Sequence, residues 1–205
     1  MADILNLRSG ALTSHLADDD IADRDASDAL LAAGGDMEAF IRLYHGHLTP
    51  IYRYVYARLG DRPEAEDVTQ QVFERTWSSL RGYRAVAGAS FRSWLFTLAR
   101  RTLFDHFRKG SHIANHVALD SVADELLDPA PGPEEAALIS DQVRAVLRVI
   151  NELPDEAREV ITLRFMGDLS YREIALTMDK TEAAVKMAAY RALDMIRRKR
   201  SNGDV

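Results

Sequence analysis

From about residue 27 onward the chain is written in helical periods. Apolar residues recur three or four positions apart, and short clusters of Gly, Pro and Asp interrupt the pattern. Ala29, Leu30 and Ala33 predict a short helix that Gly34-Gly35 stops. Asp36 is placed to cap the next helix. Its stripe is Phe40, Leu43, Tyr44, Leu48, Ile51, Tyr52 and Val55, and Leu59-Gly60-Asp61 ends it. A third helix opens at Pro63, a residue suited to the first helical position, and runs to about Leu80. Val68, Val72, Phe73, Thr76 and Leu80 share one face of it, while Asp67, Gln70 and Glu74 share another. That polar face is either a solvated surface or a docking surface for a basic or polar partner. A small-residue loop at 82–89 leads into FRSWLFTLARRTLFDHFRK, a helix over Phe91–Lys109. Phe91, Trp94, Leu95, Leu98 and Thr102 form one stripe; Phe96, Arg100, Leu103 and Phe107 form a second. The second stripe suits a packed core, and equally single-stranded nucleic acid, which takes flat rings for bases and cations for phosphates.

The period lapses over residues 110–133, which hold Pro129, Pro131, Gly132 and Pro133 and no Lys or Arg. This stretch is expected to be a flexible linker. Helical spacing resumes near Glu134 with Leu138, Val143, Val146, Leu147 and Ile150, and Leu153-Pro154 stops it. Asp155 is expected to cap a helix that buries Val160, Ile161, Leu163 and Phe165 and ends at Gly167. Residues 169–191 then read as two short helices and a tight turn. Ser170 and Glu173 have the capping-box spacing, ahead of Ile174, Ala175 and Met178. Asp179 and Lys180 break the pattern. Thr181 caps the second helix, with Glu182 near its positive dipole end. Val185, Ala188, Ala189 and Ala192 form its inner side; Lys186, Tyr190 and Arg191 lie on its outer side. This pattern fits a duplex-reading helix-turn-helix. An ordinary helical hairpin with a solvated basic face would share it.

Ahead of these blocks, residues 1–25 are expected to lack fixed structure. Asp18, Asp19, Asp20, Asp23 and Asp25 repel one another among sparse apolar residues. A short amphipathic helix at 4–16 is the alternative. The expected class is therefore all-α: two small helical domains joined by a flexible linker.

Composition narrows the function. Hydrophobic residues make up 47% of the 205, enough for a packed core, and there is no cysteine for disulfides or thiolate metal sites. No apolar run is long enough to span a bilayer, and no signal-peptide pattern opens the chain, so direct membrane insertion is not expected and a cytoplasmic location is. The net charge of −6 argues against nucleic acid, but its distribution does not. Arg92, Arg100, Arg101, Arg108 and Lys109 form one basic block, and Arg197, Arg198, Lys199 and Arg200 another; the acids gather at 18–25 and 120–141. No catalytic constellation stands out. His45 and His47 diverge on a helix, and His112 and His116 have ligand spacing but no matched carboxylate or cysteine set. Glu64, Glu66 and Asp67 are adjacent acids with nothing to mark a raised-pKa pair. No enzyme, metal or cofactor is expected.

Four stretches taken together resemble the extracytoplasmic-function sigma factors, the compact members of the sigma-70 family. They are AEDVTQQVFERTW (65–77), FRSWLFTLARRTLFDHFRK (91–109), LPDEAREVITLRFMGDLSYREIA (153–175) and AVKMAAYRAL (184–193), in the family's order and spacing. The resemblance covers about residues 27–198. It implies an acidic extension at 1–26, region 2 over 27–109, an acidic linker at 110–133 and region 4 over 134–200. It further implies a sigma factor that binds core RNA polymerase and directs transcription from its own promoters. Region 2 would grip the β′ clamp and melt and read the −10 element; region 4 would read the −35 element and touch the β flap. Carried over by position, Asp67, Gln70, Gln71 and Glu74 fall on the clamp-binding helix. Arg92, Trp94, Arg100, Arg101, Arg108 and Lys109 fall on the −10 surface. Thr181, Glu182, Lys186, Met187, Tyr190 and Arg191 fall on the −35 surface. The family also implies an anti-sigma partner. Two positions depart from its pattern. Arg101 stands where Asn is common, and Met187-Ala188 where Ser-Arg is common. The promoter sequence is therefore not carried over from any relative. A stand-alone helix-turn-helix regulator would share only the last stretch, and a helical interaction protein would leave the order of the basic stretches unexplained.

Overall fold

The computed structural model describes residues 11–85, 88–109 and 149–201, with backbone alone for 11–20, 200 and 201. The described residues form helices joined by turns and short loops, without a strand. Seven helices follow in order: α1 Ala11–Ala33, α2 Met37–Leu59, α3 Arg62–Leu80, α4 Phe91–Lys109, α5 Asp155–Phe165, α6 Tyr171–Met178 and α7 Glu182–Ser201. The expected linker and the helix start near Glu134 lie outside the described residues, as do His112 and His116.

Local chemistry sets the ends. The Asp36 carboxylate accepts from the Glu38 and Ala39 amides at 2.9 and 3.0 Å, which starts α2. Gly60 ends it at φ 72°, in the left-handed region that glycine tolerates best. Asp61 caps α3 through the Glu64 amide. Ser170 and Glu173 close the capping box at α6. The Thr181 hydroxyl accepts from Ala184 N at 3.2 Å to start α7. Asp155 does not cap α5. Pro154 holds that position without a side-chain bond, and Asp155 lies in the first turn, where its charge still complements the dipole. Ser170→Ala should lower stability by about 1 kcal/mol by orphaning an amide of α6; equal denaturant midpoints for the variant and the wild type would contradict this.

The N-terminal expectation needs correction. Residues 11–33 are one helix rather than a loose tail followed by a short helix. The reason is tertiary. Asp25, the last acid of the run, bonds the buried His47 ring at 2.7 Å, and Asp28, just beyond it, takes the Arg42 guanidinium at 2.6 Å, so both meet polar groups of α2. Ala29 and Ala32 bury between them.

α1 to α4 form the first block, with α2 packed on α1 and α3, and α3 on α4. In the second, α7 packs on α5 and α6. The blocks lie against one another through α4 with α6 and α2 with α5. One core runs through both, from Leu43, Ile51, Val72 and Phe91 to Leu163, Leu169, Ile174 and Val185. A smaller cluster of Ile150, Leu153, Ala157, Ile161 and Ala192 closes the outer side of α5. α5 is thus sandwiched, which explains why VITLRF is apolar on more than one face. Its last residue escapes: Phe165 is 57% exposed, contrary to expectation.

Candidate functional site

The helix-turn-helix is built as its sequence requires. α6 ends at Asp179, whose φ of 55° turns the chain, and Lys180 N bonds back to Ala175 O at 2.9 Å. α7 then buries Val185, Ala189 and Ala192. Thr181, Glu182, Lys186, Met187, Tyr190 and Arg191 are all exposed, and Tyr190 is 65% so. The Lys186 ammonium sits 2.6 Å from Glu182, and that bond raises its pKa above the ordinary lysine value. It is therefore a full cation at physiological pH, in part neutralised along the helix.

α4 offers a second basic surface. Arg101, Arg108 and Lys109 are exposed. Arg108 pairs with Asp105, which also takes Arg75 at 2.9 Å; the Arg75 bond holds the Asp105 carboxyl below the usual range. Trp94 is half-buried, with its ring 5.1 Å from Tyr83 and 5.6 Å from Phe91. Arg92 and Arg100 are placed differently. Arg92 lies 3.7 Å from Asp168, and Arg100 lies 3.6 Å from Glu159, both across the contact with the second block. Arg100 also stacks over Phe104, which is 52% exposed. The second stripe of α4 divides accordingly. Phe96 and Leu103 are buried, whereas Phe107 is 41% exposed.

The third surface is on α3. Asp67, Gln70, Gln71 and Glu74 are exposed, and Gln70 donates to Glu74 at 2.8 Å. Beside them runs a groove of about 820 Å³, floored by Phe40, Tyr44, Tyr52 and Phe73 and edged by Trp77 and Glu66. Part of the apolar stripe of α2 is the wall of this groove. Periodicity marked its apolar face correctly but not that nothing among the described residues closes over it.

Family models match in the same order as these surfaces: sigma-70 region 2 over residues 43–113, and sigma-70 region 4 over residues 143–196. The sigma-E factor of Escherichia coli is 30% identical over 172 residues, 79% of this chain and 86% of that protein. The chain belongs to the extracytoplasmic-function sigma factors. BldN of Streptomyces coelicolor, of the same family, is 35% identical over 170 residues; the match spans 82% of this chain and 62% of BldN. The solved structure of the sigma factor RpoE in complex with the anti-sigma factor NepR, from Bartonella quintana, has the same fold, with a TM-score of 0.61 at 20% identity over 79% of this chain and 96% of that one.

Sequence reasoning missed one constellation in this sigma factor. Glu159 is a buried acid of α5, bonded to the Tyr54 hydroxyl at 2.5 Å and beside Arg58 at 3.4 Å. Burial, and then the Glu159 charge, pushes the Tyr54 phenol well above its ordinary pKa. Burial, and then the neighbouring Arg58 charge, lowers that of Arg158. The available signal was the two-faced apolar run around Glu159. Among the described residues no group of three acids, histidines or cysteines is placed to hold a metal, and no helix is long and apolar enough to cross a membrane.

Proposed function

We propose that this chain binds core RNA polymerase and directs promoter-specific initiation, reading the −10 element with α4 and the −35 element with α7. The observation that carries the reading is the exposure of three separate surfaces of suitable chemistry, in family order. They are a polar face beside an apolar groove on α3, aromatics with cations on α4, and a recognition helix with an open outer face. Region 2 is assigned to 27–109 and region 4 to 134–200. Asp67, Gln70, Gln71 and Glu74 engage the β′ clamp. Trp94, Arg101, Arg108 and Lys109, with Arg92 and Arg100 once released, take the −10 strand. Thr181, Glu182, Lys186, Met187, Tyr190 and Arg191 face the −35 major groove. Acting in the cytoplasm, the chain is held in check by an anti-sigma protein, as RpoE is complexed with NepR.

Co-elution with core polymerase tests the reading. A sigma factor forms a stoichiometric holoenzyme, whereas a stand-alone helix-turn-helix regulator elutes apart. The promoter contacts of α7 are resolved by Arg191→Ala. If Arg191 reads a base edge, the change costs about 1–3 kcal/mol and relaxes preference at one position; if it holds phosphate, all sequences weaken alike and the salt slope falls by about one. Unaltered −35-dependent transcription in Arg191→Ala and Lys186→Ala together would remove α7 from the groove.

A further inference from the structure

The buried line of α7 fixes which of its residues project furthest outward. Val185, Ala189 and Ala192 are closed against α5 and α6. At about 3.6 residues per turn, the positions opposite them are Ala183, Met187, Tyr190 and Asp194, which follow one another at i, i+4, i+7 and i+11. All four are exposed. The leading part of this line is therefore apolar, and the cations stand off it, Lys186 on one flank and Arg191 on the other. The polar groups of the first turn are already engaged within the helix. The Thr181 hydroxyl accepts from Ala184 N, and Glu182 takes the Lys186 ammonium at 2.6 Å. We propose that Met187 and Tyr190 are the base-discriminating residues of α7, that the group they recognise is the C5-methyl of thymine, and that Lys186 and Arg191 hold the phosphates on either side. These roles rest on the placement of α7 in the −35 major groove given above.

The chemistry of the groove selects this group. Base pairs line the major groove with hydrogen-bond donors and acceptors, and thymine alone adds an apolar methyl. A thioether and an aromatic face offer those edges no strong donor or acceptor. Over adenine, guanine or cytosine they would cover polar groups without satisfying them. Over a thymine methyl, apolar surface is buried on both sides. The Met187 chain is unbranched and shifts to follow the methyl, whereas Tyr190 presents a flat, stiff ring. Size supports the flanking role of the cations. A helix with its side chains is about 10–12 Å across and the groove about 12 Å wide, so residues beside the central line meet the phosphate walls. Asp194 sets the tilt. It continues the same line and, although it pairs with Arg198 at 2.8 Å, its charge would meet the polyanion if α7 lay flat. α7 therefore enters by its N-terminal half, the half that carries Met187 and Tyr190.

Uracil in place of thymine removes the methyl and leaves every hydrogen-bonding group, which makes the test direct. The probe is the strongest promoter that the holoenzyme selects from a random library, with each thymine on either strand of its −35 element replaced in turn by uracil. At one thymine or more, uracil should lower the affinity of the wild-type holoenzyme about fourfold, the effect of one buried methyl-sized group. When Met187→Ala and Tyr190→Ala are combined, thymine and uracil templates should bind alike. Tyr190→Phe, which keeps the ring, should keep the difference. Lys186→Ala and Arg191→Ala should weaken both templates equally, preserve the methyl effect and flatten the salt slope. Circular dichroism of all variants should match the wild type, since the replaced side chains are exposed and alanine favours the helix. A −35-dependent promoter indifferent to every uracil overturns methyl recognition while leaving α7 in the groove. A methyl effect that survives the loss of both side chains does the same. A holoenzyme indifferent to the −35 element itself overturns the placement of α7, and methyl recognition with it.

Discussion

Replacing Asp67 and Glu74 together by lysine is expected to weaken holoenzyme assembly by about a hundredfold, the scale of two unfavourable charges placed in an interface. Both side chains project from the exposed face of α3, two turns apart, and line no part of the core. Val68 and Val72 are fully buried, hold the helix in the core and are untouched. Circular dichroism and thermal denaturation should therefore stay close to wild type. The loss would come from repulsion of a basic partner at the edge of the groove of Phe40, Tyr44, Tyr52 and Phe73. Most of it should appear at low salt, since exposed charges are screened as ionic strength rises. Wild-type affinity for core enzyme in the double variant would mean that the clamp does not dock on this face.

A larger effect on stability is expected at Phe91. This residue opens α4 at 1% exposure, and its ring meets His47 at 5.5 Å, Tyr83 at 5.8 Å and Trp94 at 5.6 Å. It joins α2, the loop after α3 and α4 in one contact. Phe91→Ala should cost about 3–5 kcal/mol, a large part of the net stability of a domain. Trp94→Ala is the informative contrast. Its ring is only partly buried and lies at the end of the same cluster, so it should cost clearly less in stability and more in promoter opening. Melting should expose the difference, with Phe91→Ala unfolding first and Trp94→Ala retaining a cooperative transition. Equal destabilisation by the two would show that Trp94 is a core residue and has no free face for a base.

The chain shows what local sequence can and cannot say. Caps were legible because they are short-range chemistry: Asp36, Ser170 and Thr181 bond amides two or three residues away. The faces of α3 and α7 were legible because burial repeats with the helical turn. What covers a face was not. Phe40 and Tyr44 carry the spacing of core residues but line an open groove, and Phe96 and Leu103, open to either reading, are closed over by α5 and α6. Acidic residues misled for the same reason. Asp25 looks solvated in sequence and Glu159 stands out in no way, yet each is fixed by a partner far along the chain, His47 in one case and Tyr54 in the other. Those pairings depend on tertiary packing, which periodicity does not encode.

The central claim is that this chain supplies promoter specificity to core polymerase, and runoff transcription on a promoter library tests it most directly. Core enzyme with the chain should give discrete transcripts from a subset of templates that share two elements, and core enzyme alone should give none of them. The same transcripts without the chain, or none with it, would contradict the account.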